Sequence, residues 1–136
     1  MGGFGHALAN RVVVISVPFA ALAAFLLAVA VGLGAFGAHA LKERLDAYSL
    51  GIWEKAVFYH FVHAIGMLVV ASIAKLREST AEFVCWLLFA GILLFSGSLY
   101  VLAVTGVRVL GAVTPFGGVA FIVAWVVLGW SLLRNS

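Results

Sequence analysis

The side chains of this sequence that could do chemistry are imidazole, phenol and hydroxyl groups that interrupt long apolar stretches. Such groups can hydrogen-bond one helix to another, and an imidazole can also carry a proton or bind a metal ion. They are concentrated in four short motifs: GAFGAH at Gly34–His39, WEKAVFYHFVH at Trp53–His63, LFSGSLY at Leu94–Tyr100 and TPFGG at Thr114–Gly118. The candidate polar or ligand site has these members: His39, Tyr59, His60, His63, Ser96, Ser98, Tyr100, Thr114, Gly117 and Gly118.

The spacing of these residues predicts one polar layer inside a helical bundle. Tyr59 and His63 are four residues apart and therefore share one helix face. The same spacing joins Ser96 and Tyr100. At a rise of about 1.5 Å per residue, both pairs lie at a similar depth in a membrane. We therefore expect a layer of Tyr59, His60, His63, Ser96, Ser98 and Tyr100, covered at the membrane interface by His39 and Thr114.

This layer has a structural and a functional interpretation. In the structural one, His63 is a neutral imidazole that donates to a carbonyl or to Tyr100 and holds two helices in register. Ser96 and Ser98 can bond to carbonyls one turn earlier in their own helix. In the functional interpretation, the chain tolerates the free-energy cost of ionisable groups inside a membrane because these groups bind a ligand or carry an ion or a proton. Both interpretations stay open at the level of sequence.

Catalysis and metal binding are the less favoured hypotheses for the same residues. His60 and His63, together with His39, could present three imidazoles to a metal ion. The apolar segments, however, carry no buried carboxylate or cysteine cluster to complete a common catalytic set. The Ser96-Gly97-Ser98 tripeptide also differs from the nucleophile elbow of hydrolases. We predict no catalytic residue, no metal, no cofactor and no enzymatic activity.

The TPFGG motif predicts the start of a helix. Thr114 can cap the helix, and Pro115 suits its first position because proline lacks the N–H that is unpaired there. Gly117 and Gly118 would allow a neighbouring backbone or a ligand to come close. The amides at such a start could attract an anion or a lipid headgroup, although a plain helix start is the ordinary alternative. On this interpretation, residues 109–113 form a loop or a re-entrant segment.

The elements that must position these residues are membrane helices. The chain is 65% hydrophobic and 10% charged, with mean hydropathy +1.23. Soluble domains are about 45–50% apolar and about 25% charged. The formal charge of +3 comes from Lys and Arg residues that lie between apolar runs. This distribution is typical of membrane flanks, and we expect no nucleic-acid partner.

Four apolar segments are long enough to span a bilayer: residues 12–38, 56–74, 83–103 and 109–133. They predict an all-α, single-domain membrane protein over residues 1–136, with four transmembrane helices in an up-down bundle. An amphipathic pattern predicts a short interfacial helix at about 41–52, followed by Trp53 as an aromatic anchor. Helix-packing stripes of small residues are expected at Ala30, Gly34, Ala38, Ala120 and Ala124.

The four motifs, in this order and together with Phe121 and Trp125, resemble the domain-of-unknown-function 423 family of YgdD-like and transmembrane protein 256-like small membrane proteins. The resemblance runs from about Gly32 to Trp130. It implies a four-span membrane protein and matches all the candidate positions except His60, but it brings no known activity. At His60 bacterial members often carry Gln, which puts a role that requires imidazole there in doubt.

Three function hypotheses remain. The favoured one is a binding, accessory or assembly protein that associates with itself or with a larger membrane complex, the polar layer providing register. The second is an oligomeric transporter or channel for a small solute, an ion or protons. The third is a lipid- or quinone-binding protein with its pocket beside Tyr59 and Tyr100. In each case we expect lipid contact, a bacterial plasma (inner) membrane location, and both termini on one side, with a lean towards the cytoplasm.

Overall fold

The computed structural model describes residues 3–73 and 75–135, with side chains described from Val17 onward, and these residues contain helices and no strand. The α-helices are α1 (Gly3–Phe36), α2 (Ala47–Ser72), α3 (Glu78–Gly91), α4 (Ser98–Thr105) and α5 (Thr114–Arg134). A π-helical segment, Gly37–Leu41, prolongs α1, and another, Ile92–Gly97, joins α3 to α4. A 3₁₀ turn, Arg108–Ala112, precedes α5.

These helices form four candidate membrane spans: Val17–Leu41, Ala47–Ser72, Glu78–Thr105 and Arg108–Arg134. Each is long and apolar enough to cross a bilayer, because about 20 helical residues cover the hydrocarbon core. The prediction of an all-α membrane protein with four spans is therefore confirmed. The predicted end of the second span at residue 74 lies outside the described residues.

The predicted separate interfacial helix at 41–52 is wrong. Leu41 ends the π-helical segment of α1, residues 42–45 form a turn, and the rest of the stretch belongs to the first turns of α2. The reason is a capping residue: the Asp46 carboxylate accepts the Ser49 backbone N–H at 2.7 Å and starts α2 there. The same hydrogen bond holds the pKa of the exposed Asp46 carboxylate below its ordinary value.

The middle of the bundle is formed by α2 and α3. Helix α1 packs mainly on α2, and α5 packs mainly on α3. Met67 of α2 and Leu88 of α3 are fully buried between them, together with the lone Cys85. The two outer helices expose apolar faces, as membrane helices do where they meet lipid. This arrangement presents one face of α2 to three neighbours and so places its polar side chains inside the protein.

Candidate functional site

The buried face of α2 carries both candidate histidines. Trp53, Ala56, His60 and His63 recur every three or four residues, and each of them is at most 5% exposed. This spacing sets them along one side of the helix. Trp53 is therefore a buried residue, and the expectation of an interfacial anchor is wrong for it.

His60 pairs with Tyr100 across the bundle. The His60 Nδ1 atom lies 3.1 Å from the Tyr100 hydroxyl of α4, a hydrogen-bonding distance in which either group can donate. The His60 Nε2 atom is buried and has no protein group at hydrogen-bonding geometry, although the backbone of Leu26 in α1 lies beside the ring. The sequence had pointed to His63, with a carbonyl as its alternative partner, for the bond to Tyr100.

Trp53 extends this pair towards α1. Its ring centroid is 4.7 Å from that of Tyr100, and its Nε1–H donates to the Leu33 carbonyl oxygen of α1 at 2.9 Å. Gly37 makes this approach possible, because a Cβ atom there would overlap the Trp53 indole. The α1 side of the layer therefore joins three helices through hydrogen bonds and aromatic contacts.

His63 faces α5 rather than α4. Its Nδ1 atom lies 2.7 Å from the Tyr59 carbonyl oxygen, which can only accept, so Nδ1 carries the proton. Its ring lies parallel to the ring of Phe121, with centroids 3.4 Å apart and an interplanar angle of 8°. His63 is thus turned inward, as expected, but it lies in an aromatic stack and has no contact with Tyr100.

Tyr59 belongs to the same stack. Its ring centroid is 4.4 Å from that of Phe95 and 5.8 Å from that of His63. Phe95 also contacts Phe121, with centroids 5.7 Å apart. These four rings, Tyr59, His63, Phe95 and Phe121, are the α5 side of the layer.

Ser96 joins the π-helical segment to α2. Its side chain is fully buried, and its hydroxyl donates to the Ala56 carbonyl oxygen at 2.8 Å. The prediction of a bond within its own helix is therefore wrong for Ser96. The wide turn Ile92–Gly97 is the local feature that differs from a regular α-helix, and such π-helical turns often occur at functional sites.

Ser98 and Thr114 form a second hydroxyl contact where α4 and α5 begin. Their oxygens are 2.7 Å apart, and Ser98 also lies 3.0 Å from the Phe95 carbonyl oxygen of its own helix, as expected. Thr114 bonds back to the Leu110 carbonyl at 3.4 Å and does not cap α5, so its predicted capping role is wrong. Pro115 does occupy the first turn of α5.

The two glycines of TPFGG differ in their surroundings. A Cβ atom on Gly117 would overlap the backbone of Phe95, so α5 and the π-helical segment approach each other more closely than any other residue allows. The same atom on Gly118 would meet only the Phe95 ring, at 3.8 Å, which is ordinary contact. Close backbone approach is thus observed at Gly117.

His39 lies apart from the layer. It is exposed in the π-helical segment that follows α1, and no hydrogen bond or ring contact joins its side chain to another described residue. Of the two residues expected to cover the layer, only Thr114 contacts one of its members, Ser98. Among the described residues, no three His, Cys, Asp or Glu side chains are close enough to hold a metal ion.

The small-residue stripes divide between the interior and the surface. Ala30 and Ala124 are fully buried, and a Cβ atom on Gly34 would meet Val57 of α2 at 3.4 Å. Ala120 is half-buried, and Ala38 is exposed. Most of these residues are therefore already used within one chain.

Sequence reasoning missed Trp53, Phe95 and Phe121 as members of the layer. All three are aromatic residues in or beside the four motifs, but a ring in an apolar stretch carries no signal that separates core from lipid-facing positions. The GAFGAH glycines did carry a signal, since Gly37 leaves the space into which Trp53 packs.

The comparisons with known proteins agree with this architecture. The chain matches the family described as "Protein of unknown function (DUF423)" over residues 33–118, which is more than half of its length. The chain belongs to the DUF423 family. All the candidate residues from His39 to Gly118 lie within the matched region of this DUF423 member.

Three relatives are named only as UPF0382 membrane proteins. One from Staphylococcus saprophyticus is 52% identical over 99 residues, 73% of this chain and 82% of the relative. YwdK of Bacillus subtilis is 50% identical over 101 residues, again 73% and 82%. One from Staphylococcus haemolyticus is 44% identical over 110 residues, 81% and 90%. No solved structure matches this DUF423 protein. It is an integral multi-pass membrane protein, and the names of its relatives state no activity.

Proposed function

We propose that this DUF423 protein is an assembly protein of the bacterial plasma membrane, which works by associating with a second copy of itself and catalyses no reaction. The polar layer holds the helices of each copy in register. The exposed face of α1 forms the contact between copies.

One observation carries this proposal: most of the polar groups of the layer are hydrogen-bonded within the chain. Ser96 bonds to the Ala56 carbonyl, Ser98 to Thr114, and His63 to the Tyr59 carbonyl. Among the buried side-chain nitrogen and oxygen atoms of the described residues, only His60 Nε2 has no partner. Bonds between helices, such as those of His60, Ser96 and Ser98, fix helix register at about 0.6–2 kcal/mol each, which is the role that the proposal gives to the layer.

The face of α1 that points away from α2 supplies the surface. Ala24, Ala28, Gly32 and Ala35 are all exposed and recur every three or four residues. A Cβ atom on Gly32 would meet no protein atom within 4 Å. Small residues let helix backbones approach closely in a membrane, where packing rather than water exclusion drives association. Two copies of the same flat face complement each other, which favours a second copy over an unrelated partner.

Self-association can be tested by energy transfer between donor- and acceptor-labelled chains in liposomes at a fixed protein-to-lipid ratio. Gly32→Leu places a large side chain on the face and should abolish the transfer seen for the unaltered chain. Gly129→Leu is the matched control, because Gly129 on the other outer helix is equally open. Equal transfer by all three proteins, or none by the unaltered chain, would overturn the α1 contact.

Transport is the outcome that would replace this proposal. Liposomes containing the unaltered protein should show no more flux of ions, protons or small solutes than empty liposomes. Flux that His63→Ala abolishes while self-association stays intact would assign the layer to a path and reject the assembly role.

Both termini are proposed to face the cytoplasm. The Lys and Arg residues divide evenly between the two ends of the spans and do not decide the orientation, but Lys75 and Arg77 crowd one short loop on the side of the termini. A fluorescent reporter at the C-terminus should fold and emit, whereas an alkaline phosphatase fusion there should be inactive. The reverse result would invert the orientation.

A further inference from the structure

A cleft of about 540 Å³ opens at the membrane boundary, where α2 begins and α4 ends. We name it the interfacial cleft. Its walls come from three elements: Tyr48, Ser49 and Ile52 of α2, Leu102 of α4, and Arg108 and Gly111 of the 3₁₀ turn. None of these residues belongs to the polar layer, and the cleft plays no part in the proposed contact between copies.

The lining is polar on one side and apolar on the other. Arg108 brings a permanent positive charge, and no ion pair joins it to a carboxylate among residues 17–73 and 75–135. Tyr48 and Ser49 bring side-chain hydroxyls. Ile52, one turn after Tyr48 in α2, and Leu102, about one turn before the end of α4, bring apolar surface. A guanidinium binds phosphate oxygens through parallel N–H donors, and hydroxyls can donate to the same oxygens.

We propose that the interfacial cleft binds a membrane phospholipid through its phosphodiester group, which Arg108 contacts, while the start of an acyl chain lies along Ile52 and Leu102. This site goes beyond the assembly role and does not depend on it. The position suits a lipid, because the first turns of α2 and the last turn of α4 are ends of candidate membrane spans, and span ends are expected where headgroups meet hydrocarbon.

Charge at the rim favours a phosphodiester over free phosphate. The Asp46 carboxylate does not line the cleft, but it accepts the backbone N–H of Ser49, which does, at 2.7 Å. One cation and one nearby carboxylate leave little net positive charge, which disfavours free phosphate because its average charge at neutral pH lies between one and two negative charges. The phosphodiester of a phospholipid carries one negative charge and therefore fits Arg108 better.

The glycines of the cleft keep its mouth open. Gly106 ends α4 with φ +70°, a left-handed conformation that glycine adopts without strain. A Cβ atom on Gly111 would meet no protein atom within 4 Å. A larger side chain at 111 can therefore fill the cleft without disturbing the fold, which provides a steric test that leaves the charge of Arg108 unchanged.

The charge test uses the full chain in nanodiscs of phosphatidylcholine with phosphatidylglycerol, a monoanionic phosphodiester lipid. Native mass spectrometry after release measures the phosphatidylglycerol that stays bound to each chain. Arg108→Gln should weaken retention about tenfold, which corresponds to a loss of about 1.4 kcal/mol of binding free energy. Arg44→Gln is the control, because Arg44 is an exposed arginine near the same end of the bundle but outside the cleft lining. Equal retention by both variants, whether high or low, would overturn the site.

The steric test uses Gly111→Leu with Gly51→Leu as its matched control. Both glycines have open space around them, but only Gly111 lines the cleft. Gly111→Leu should lose bound lipid while circular dichroism and the melting temperature stay unchanged, and Gly51→Leu should retain lipid. Retention by both proteins, or loss by both, would reject the proposal even if Arg108→Gln failed to fold.

A third arm separates the sources of phosphate. Excess inorganic phosphate should not displace phosphatidylglycerol from the unaltered chain, and it should not raise the melting temperature of protein stripped of lipid. Displacement together with a higher melting temperature would identify a soluble anion site and overturn the assignment to a lipid.

Discussion

The two sides of the polar layer use the same residue types in different ways. On the α1 side, His60 and Tyr100 form a hydrogen-bonded pair between α2 and α4, and Trp53 ties the pair to α1. On the α5 side, His63 and Tyr59 contribute their ring faces to a stack with Phe95 and Phe121. A histidine and a tyrosine therefore act as polar partners on one side and as flat aromatic surfaces on the other.

The difference follows from what each neighbouring helix presents. Helix α4 brings a phenol hydroxyl to α2, whereas α5 brings Phe121, which offers a ring and no polar atom. His63 therefore satisfies its Nδ1–H within its own helix, at the Tyr59 carbonyl, and leaves its ring face free to stack. Packing on the α5 side depends on shape, and packing on the α1 side depends on hydrogen bonds as well.

The largest effect should come from overpacking the α5 side. Gly117→Ala places a methyl group against the backbone of Phe95, which cannot rotate away as a side chain could. We expect the free energy of unfolding to fall by about 3 kcal/mol, the upper part of the range for overpacked sites. Reversible unfolding in mixed micelles measures this loss. The control, Gly118→Ala, has room for its methyl group and should lose little. Equal losses would show that close approach at Gly117 is unimportant.

A smaller effect should separate the two tyrosines. Tyr100→Phe removes the hydroxyl that bonds His60, and the free energy of unfolding should fall by about 0.6–1.7 kcal/mol. Tyr59→Phe should change it by much less, because within the described residues every interaction of the Tyr59 side chain is a ring contact. The same micelle unfolding assay measures both. A larger loss for Tyr59→Phe would reverse the comparison between the two sides.

The smallest effect should lie outside the layer, at the start of α2. The Ser49 amide holds the pKa of Asp46 below its ordinary value of 3.8, so the ionised carboxylate is the form that stabilises the helix start. This stabilisation is present above pH 3.8 and is lost as pH falls through the lowered pKa of the folded state. Hydrogen exchange of the Ser49 amide should therefore become less protected at low pH in the unaltered chain.

Asp46→Asn provides the control for this pH effect. Its amide oxygen still accepts the Ser49 N–H but does not titrate over this range. Protection of the Ser49 amide should then be independent of pH after correction for intrinsic exchange. A pH dependence that persists in Asp46→Asn would assign the effect to another group.

Much of the fold was predictable because a membrane helix can be recognised from the residue types along one apolar run, without knowledge of its neighbours. Apolar length predicted the four spans. The limits of α2 were not predicted, since the pattern from Leu41 to Ile52 looks the same in an interfacial helix as in a turn followed by a capped helix. Only the hydrogen bond from Ser49 to Asp46 separates the two.

The partners within the layer were less predictable. Depth along a helix follows from residue number, but the direction of a side chain around the axis relative to its neighbours depends on how helices cross. The π-helical segment Ile92–Gly97 departs from the regular α-helical spacing of side chains around the axis. Its Ser96 bonds to α2 rather than to its own helix. For this reason the sequence left open whether His63 donates to a carbonyl or to Tyr100, and the structure shows the carbonyl of Tyr59.

The sequence by itself determined the solvent of this protein, the number of its spans and the residues that had to be kept away from lipid, because each of these follows from the cost of placing a given side chain in hydrocarbon. The tertiary structure decided that His60 meets Tyr100, that His63 stacks on Phe121 and that Gly117 touches the backbone of Phe95. Those pairings depend on the rotation and close approach of whole helices, which are set by all their packed side chains together and by no single motif.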